Sequence, residues 1–195
     1  NAEVKPETEQ LRDGMLYDLA SLTKVVATTP VIAWLMQQGQ LHMDDPVDRY
    51  LPEVENRDVT IRHLITHTAA IEGYIPHRNE LSRPDLIKTL LNQEHIGPNL
   101  GLNIAYTDIG YVYLGLIAQR ITGTPIQKLA QRLVIDHLNL QGQLTFHPDR
   151  SQAVPTEFNP QLGDLIRGIV HDPKGAILGE QCGSAGLFAS IEGLT

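Results

Sequence analysis

The chain has 195 residues, a formal charge of −8 and 42% hydrophobic residues, values that are typical of a packed globular domain. The negative charge argues against nucleic acid as a main partner and against binding to an anionic membrane surface. The single cysteine, Cys182, excludes an internal disulfide and leaves the cellular compartment open. The longest apolar run, around Val25 to Met36, is too short and too interrupted to predict a membrane span.

The chain opens on a polar segment and then enters its first helix. Residues 1–15 predict an extended lead-in, whose first two residues read as the scar of a tag or protease site. Residues 21–38 predict a helix that ends near Gly39, because glycine commonly follows helix C-termini. Pro30 lies inside this helix and predicts a kink or a restart near Thr29.

The remaining chain predicts one mostly helical region, so that the domain as a whole spans 16–195. Capping residues, apolar periodicity and glycine stops predict four further helices. These are a short helix over 60–67, one over 85–92, a long amphipathic helix over 108–121 and one from 125 to about 134. Beyond Leu140 the chain is rich in proline and glycine, which predicts irregular connections and short strands.

Ser21 and Lys24 are the first residues whose chemistry is informative. If the helix begins near Ser21, the two side chains lie three residues apart on one face. A lysine buried beside the apolar helix can lose its charge and take the proton of the serine hydroxyl, which is otherwise a weak nucleophile. The Ser-x-x-Lys pattern is short, and it fits equally an N-capping Ser21 followed by a solvated Lys24.

Tyr106 and Asp108 form the second candidate pair. Tyr106 stands on a turn-rich approach to the long predicted helix, where a tyrosine can protonate a leaving atom. Asp108 can hydrogen-bond into the same cleft from the start of that helix. Alone, Tyr-x-Asp is also typical of a tyrosine that packs and makes one hydrogen bond.

Six segments, in matching order from about Leu16 to Ser190, resemble the serine β-lactamase and penicillin-binding-protein superfamily, in particular its class C β-lactamase and family VIII esterase branch. The first is the nucleophile segment, Asp18–Lys24, and another is Tyr106–Gly115, which resembles the second catalytic motif with its helix. The others are Gly39–Val47, which resembles the G-x-L-x-L-D-D-P-V connector, Ile61–Ala69 (I-R-x-L-L-T-H-T-S), Val170–Pro173 (V-H-D) and Gly183–Phe188 (G-x-A-G-L-F-S).

This resemblance implies a role for each matching residue. Ser21 is implied as the acylated nucleophile, Lys24 as its general base and Tyr106 as the group that carries the proton to and from the leaving atom. The backbone N–H of Ser21 is implied as one donor of an oxyanion hole. The implied substrates are β-lactams, D-alanyl peptides or small esters, with no metal and no organic cofactor.

The chain departs from the family pattern at two points. Asp108 stands where the family has asparagine, so a carboxylate that only accepts hydrogen bonds replaces an amide that donates to substrate. It can also pair with Lys24 and keep that lysine charged. The family's third motif, Lys-Thr-Gly or His-x-Gly on a sheet strand, is absent from 1–195, as are the strands before the nucleophile segment.

The resemblance therefore implies the helical portion of an α/β fold, truncated and lacking most sheet strands. Such a piece is expected to be nearly inactive alone, because loss of one oxyanion donor costs about 10²–10³ in rate. The apolar surface left by the absent sheet predicts a possible homodimer. Three functions stay open: a serine hydrolase, a penicillin-binding sensor or cell-wall peptidase that releases its acyl group slowly, and a non-catalytic binding module on the same scaffold.

Five other residues carry weaker signals. His63 and His67 have the i, i+4 spacing of metal ligands, but the glutamate that a zinc protease needs between them is missing, so the spacing favours a structural role. His171 and Asp172 are expected to order a loop rather than to act in catalysis. Cys182 is expected to be a small buried residue.

Overall fold

The computed structural model describes residues 9–54, 56–72, 76–92, 95–161 and 163–195. Of the expected lead-in, residues 1–8 lie outside the described ranges. In the remainder Met15 is buried, and Glu9 forms an ion pair with Arg167 at 2.8 Å. This part of the lead-in is therefore attached to the domain at two points.

Helices supply most of the regular structure. The α-helices of the described ranges are α1 (Thr29–Gln37), α2 (Ile61–Ile65), α3 (Arg83–Asn92), α4 (Ile109–Thr122), α5 (Ile126–Ala130) and α6 (Pro173–Leu178). Two π-helical segments, Lys24–Thr28 and Gln131–Asp136, precede α1 and follow α5. Within these ranges the helices are each too short or too polar to cross a lipid bilayer.

The first predicted helix has nearly the expected extent but consists of three segments. A 3₁₀ turn over Ala20–Leu22 leads into the π-helical segment, and α1 starts at Thr29. Pro30 lies in the first turn of α1, where its missing N–H leaves no helical hydrogen bond unmade. The predicted restart near Thr29 is thus confirmed, and Gly39 follows in the left-handed conformation with φ of +67°.

Helix α4 lies at the centre of the core. Every residue from Gly110 to Ala118 is buried, whereas the sequence analysis predicted an amphipathic helix. A helix that is apolar all round is normally enclosed by its neighbours, and α4 contacts α1, α2 and α5. On another side Tyr113 donates a hydrogen bond to the carbonyl of Leu90 in α3 at 2.7 Å.

The strands are two or three residues long. A three-stranded antiparallel sheet has the order β1 (Tyr17–Asp18), β7 (Phe188–Ala189) and β4 (Leu144–Thr145). Two antiparallel pairs join β2 (Ile71–Glu72) to β3 (His95–Ile96) and β5 (Glu157–Asn159) to β6 (Asp164–Ile166). The chain is therefore helix-rich, as predicted, and it carries short strands before Leu140 that the sequence analysis did not predict.

A close backbone approach brings the segment after Cys182 against α4. A Cβ on Gly115 would lie 2.7 Å from the carbonyl oxygen of Gln181, and a Cβ on Gly183 would collide with the carbonyl oxygen of Tyr111. Only glycine fits at these two positions. This contact holds the carbonyl of Ser184 beside the candidate site.

Candidate active site

Ser21 follows a constrained turn. Strand β1 pairs with β7 through Asp18 and Phe188, and the Asp18 carboxylate then accepts hydrogen bonds from the backbone N–H groups of Ala20 and His171, each at 2.8 Å. Ala20 has a φ of +46°, a left-handed conformation that costs a non-glycine residue on the order of 1–3 kcal/mol. The two Asp18 hydrogen bonds hold this turn, and Ser21 is exposed immediately after it.

Lys24 is directed from the π-helical segment into the protein. Its side chain is only 3% exposed, so the alternative of a solvated lysine is wrong. The Nζ atom donates to Ser21 Oγ at 2.9 Å, to Asp108 Oδ1 at 2.8 Å and to the carbonyl of Ser184 at 3.1 Å. These three acceptors match the three N–H bonds of an ammonium.

Tyr106 reaches the same hydroxyl from the other side. Its phenol donates to Ser21 Oγ at 2.6 Å, and its ring lies 5.1 Å from the Nζ atom of Lys24. The structure thus brings together Ser21, Lys24 and Tyr106, which are separated by up to 85 positions in sequence.

Asp108 lies just before α4 and contacts two lysines. Its Oδ1 atom accepts from Lys24, and its Oδ2 atom lies 3.0 Å from the Nζ atom of Lys174. Burial alone raises the pKa of Asp108, but the hydrogen bond and charge of Lys24, followed by those of Lys174, hold this pKa below its ordinary value. The carboxylate is therefore ionised at neutral pH.

Lys174 was not identified by the sequence analysis. It is 6% exposed and also lies 3.0 Å from Asp172 Oδ2. Burial alone lowers the pKa of Lys174, yet the charges of Asp172 and Asp108 raise this pKa above its ordinary value. The sequence offered one signal that could have drawn attention to Lys174. Asp-Pro-Lys is a helix-start pattern, and it places Lys174 in the first turn of a helix.

Asp172 caps α6, as its position before Pro173 favours. Its Oδ1 atom accepts from the backbone N–H of Gly175 at 2.7 Å, which satisfies one free donor at the helix start. The expected ordering role is confirmed for Asp172, although it orders a helix start. His171 lies 3.2 Å from Glu157 at the surface.

His67 lies against the candidate tyrosine. Its ring centroid is 4.6 Å from that of Tyr106 and 5.3 Å from that of Tyr111, and its Nδ1 atom accepts from the backbone N–H of Thr107 at 3.4 Å. Burial, followed by the positive charge of Lys24, lowers the pKa of His67, so the ring is neutral at pH 7. The sequence pattern gave no sign of this contact with the site.

His63 has a different role from His67. Its ring accepts from the backbone N–H of Thr60 at 3.1 Å, which closes the capping box of α2. Among the described residues, no cluster of three or more histidine, cysteine or acidic side chains has a metal-binding arrangement. Cys182 is buried beside Ser184 as expected, and burial raises the pKa of its thiol.

Comparison with known proteins gives relatives of the predicted kind. A curated Escherichia coli protein named "Putative D-alanyl-D-alanine carboxypeptidase" is 28% identical over 91% of this chain and 48% of its own length. "Penicillin-binding protein 4*" of Bacillus subtilis is 33% identical over 60% of this chain and 28% of its own length. The chain thus spans about half the length, or less, of these relatives.

A solved class C β-lactamase has a similar fold. It superposes with a TM-score of 0.75 at 18% identity, and the match covers 95% of this chain and 50% of that one. The family model described as Beta-lactamase matches residues 3–195. Together these matches confirm the resemblance that the six motif segments indicate, and the chain belongs to the Beta-lactamase family.

Proposed function

We propose that Ser21 is the nucleophile of a serine hydrolase of β-lactamase-like type. The observation that carries this proposal is the convergence of two proton-transfer groups on one hydroxyl. Ser21 Oγ lies 2.9 Å from Lys24 Nζ and 2.6 Å from the phenol of Tyr106. A serine hydroxyl needs such a neighbouring base before it can attack a carbonyl carbon.

In the acylation step, neutral Lys24 takes the hydroxyl proton of Ser21 while Oγ bonds to the acyl carbon. The carbonyl oxygen becomes an oxyanion, and the Ser21 backbone N–H is the first candidate to stabilise it. When the tetrahedral intermediate collapses, the bond to the leaving nitrogen or oxygen breaks and Tyr106 donates its proton to that atom. The proton held by Lys24 then passes back to Tyr106. Hydrolysis of the acyl-enzyme releases the acid and regenerates Ser21.

The geometry around Lys24 suits this change of protonation state. As an ammonium, Lys24 donates to Ser21, Asp108 and the carbonyl of Ser184. As a neutral amine, it retains two N–H bonds for Asp108 and Ser184 and directs its lone pair at Ser21. The amine therefore loses no hydrogen-bond partner when it becomes a base.

The names of the relatives support the substrate class that we propose. A penicillin-binding protein and a protein named as a D-alanyl-D-alanine carboxypeptidase support β-lactams and D-alanyl peptides, and small esters share the same acyl-transfer chemistry. We further propose that residues 16–195 form the helical portion of a longer α/β enzyme, whose other half supplies the second oxyanion donor. Without that donor we expect the 195-residue chain to turn over substrate very slowly.

The ion pair of Lys24 with Asp108 at 2.8 Å favours an alternative. An ionised carboxylate stabilises the charged form of lysine and so weakens it as a base. A protein in which this effect dominates would acylate and release slowly, as a penicillin-binding sensor or peptidase does, or would bind ligands without chemistry.

Pre-steady-state kinetics with a chromogenic cephalosporin, a D-alanyl peptide and a p-nitrophenyl ester separate these functions. We expect one product burst per protein molecule followed by turnover in a longer chain that contains these residues. A burst without turnover supports the sensor, and absence of a burst with all three substrates supports the binding module. Ser21→Ala has to abolish the burst, whereas Ser82→Ala, at an exposed serine before α3, has to leave it unchanged.

A further inference from the structure

Lys174 completes an unbroken row of charges beside the candidate site, in which the two lysines are buried and the two carboxylates are half-buried. Starting at Lys24, the row continues through Asp108 and Lys174 to Asp172, with successive contacts of 2.8, 3.0 and 3.0 Å. The two lysine side chains are 3% and 6% exposed, so solvent screens them weakly. Charges at these distances and in this degree of burial affect one another's protonation.

The row has a balanced charge only when both lysines are protonated. Two ammonium groups and two carboxylates then sum to zero, and deprotonation of Lys24 leaves a net charge of −1. Without Lys174 the same deprotonation would leave −2 among three groups, which is a costlier state in a poorly solvated site. Lys174 therefore determines how much the Asp108 carboxylate opposes loss of the proton from Lys24.

We infer that Lys174 is a positioning residue of the serine hydrolase, which holds and neutralises the Asp108 carboxylate so that Lys24 can act as a base despite its acidic neighbour. This inference rests on the proposed function. A carboxylate held between two lysines can orient Lys24 while its charge is shared with a second cation.

Among the described residues that surround Lys24, Lys174 is the one other cation in contact with Asp108. The aromatic groups that face Lys24 from α4 and the preceding loop are Tyr106 and Tyr111, at 5.1 and 5.9 Å from its Nζ atom. The remaining facing groups are Ser21, the Ser184 carbonyl, His67 and, beyond Asp108, Lys174 with Asp172. His67 is neutral at pH 7 because burial lowers its pKa.

The test is the pH profile of Ser21 labelling by a fluorophosphonate, since this probe reports on the nucleophile without substrate recognition. For Lys174→Met we expect labelling at pH 7 to slow about tenfold and the acid limb of the profile to move up by about one pH unit. Lys174→Arg, which keeps the cation, should restore most of the rate. Lys128→Met removes a lysine that is 60% exposed and paired with Glu180, and it should leave the profile unchanged.

Two results would overturn the inference. One is a folded Lys174→Met protein with the wild-type profile, and the other is a rate lowered equally at every pH, which would indicate a structural role in α6. If Lys174→Met does not fold, Asp108→Asn and Asp108→Asn/Lys174→Met replace it. Because Lys174 acts mainly on the Asp108 carboxylate, its loss in the Asp108→Asn background should move the profile by less than one pH unit. A separation of one pH unit or more would contradict the inference.

A second readout separates this inference from the proposed function. The ¹³Cε resonance of Lys24 reports its protonation directly, whether or not Ser21 reacts. Absence of labelling in the wild-type protein at every pH would refute the hydrolase, and the Lys24 resonance would still decide the role of Lys174. A titration midpoint that moves upward in Lys174→Met supports that role, and an unchanged midpoint refutes it.

Discussion

The Nζ atom of Lys24 lies 2.8 Å from Asp108 Oδ1 and only 2.9 Å from Ser21 Oγ. One buried amine thus contacts both the candidate nucleophile and a carboxylate that favours its charged form. These two contacts have opposite effects on catalysis. To take the proton of Ser21, Lys24 needs a free lone pair, whereas the contact with Asp108 stabilises Lys24 as an ammonium.

Asp108→Asn should make Ser21 more reactive and the protein less stable. Without the carboxylate, Lys24 loses its proton more easily, so fluorophosphonate labelling should rise severalfold at pH 7 and its acid limb should move to lower pH. The row of charges then carries an excess positive charge and Lys24 loses a hydrogen-bond partner, which should lower the free energy of unfolding by roughly 1–3 kcal/mol. Urea denaturation measures the stability. Slower labelling at every pH would show that Asp108 is needed for the geometry of Lys24.

The contribution of Asp108 to stability should depend on pH in a defined direction. Its pKa in the folded protein lies below the ordinary value of 3.8, because the two lysines outweigh the effect of burial. The stabilisation is therefore fully present above the unfolded-state pKa and is lost as pH falls through the folded-state pKa. The difference in unfolding free energy between wild type and Asp108→Asn should be constant from pH 5 to 7 and shrink as the pH falls below about 4. A difference that grows in acid would contradict the assigned ion pairs.

Lys174 should have the opposite pH dependence. Burial alone lowers its pKa, but Asp172 and Asp108 raise the pKa of folded Lys174 above the ordinary value of 10.5. Its stabilisation is therefore present below pH 10.5 and is lost as pH rises through the folded-state pKa. At neutral pH the cation is in place, which is the condition that the inference about Lys174 requires.

His67→Asn should slow Ser21 labelling through Tyr106. The substitution removes the ring that packs against Tyr106 at a tilt, and asparagine tolerates the left-handed conformation of this residue, whose φ is +56°. We expect about a tenfold lower labelling rate at all pH values, since the tyrosine is less well positioned. His77→Asn is a matched control, because His77 also has a left-handed φ, of +54°, and is exposed. Equal rates for the two variants would exclude a positioning role for His67.

Self-association is expected through the exposed apolar residues near the site. Leu22 and Val25 are exposed beside the nucleophile, and Leu102 and Ile104 are exposed before Tyr106. Multi-angle light scattering of the 195-residue chain should give the mass of a dimer at micromolar concentration, and Leu102→Ser with Ile104→Ser should give a monomer. A monomeric wild-type protein would refute this expectation.

The sequence predicted those parts of the fold that are set by local signals. Gly39 and Pro30 correctly indicated a helix end and a helix start, because each acts through its own backbone conformation. The short strands before Leu140 were not predicted, because a two-residue strand is too short to show an alternation of apolar and polar residues. The full burial of α4 was missed as well, because it depends on packing by distant segments.

The candidate site was predicted only in part for a related reason. Ser21 and Lys24 share one turn, and Tyr106 and Asp108 were found by their resemblance to a family motif. Lys174 contacts Asp108 across 66 positions, and no local pattern of the sequence encodes that pairing. His67 was likewise assigned a structural role because its contact with Tyr106 depends on the tertiary fold.

The most direct test of the central claim is the intact mass of the protein after incubation with a fluorophosphonate, for the wild type and for Ser21→Ala. We expect one covalent adduct per wild-type molecule, mapped by peptide sequencing to Ser21, and none on the variant. Lys24→Met should reduce the labelling rate by several orders of magnitude, since the hydroxyl then lacks its base. An adduct on Ser21→Ala at the wild-type rate, or no adduct on folded wild-type protein at any pH, would contradict an activated serine at this position.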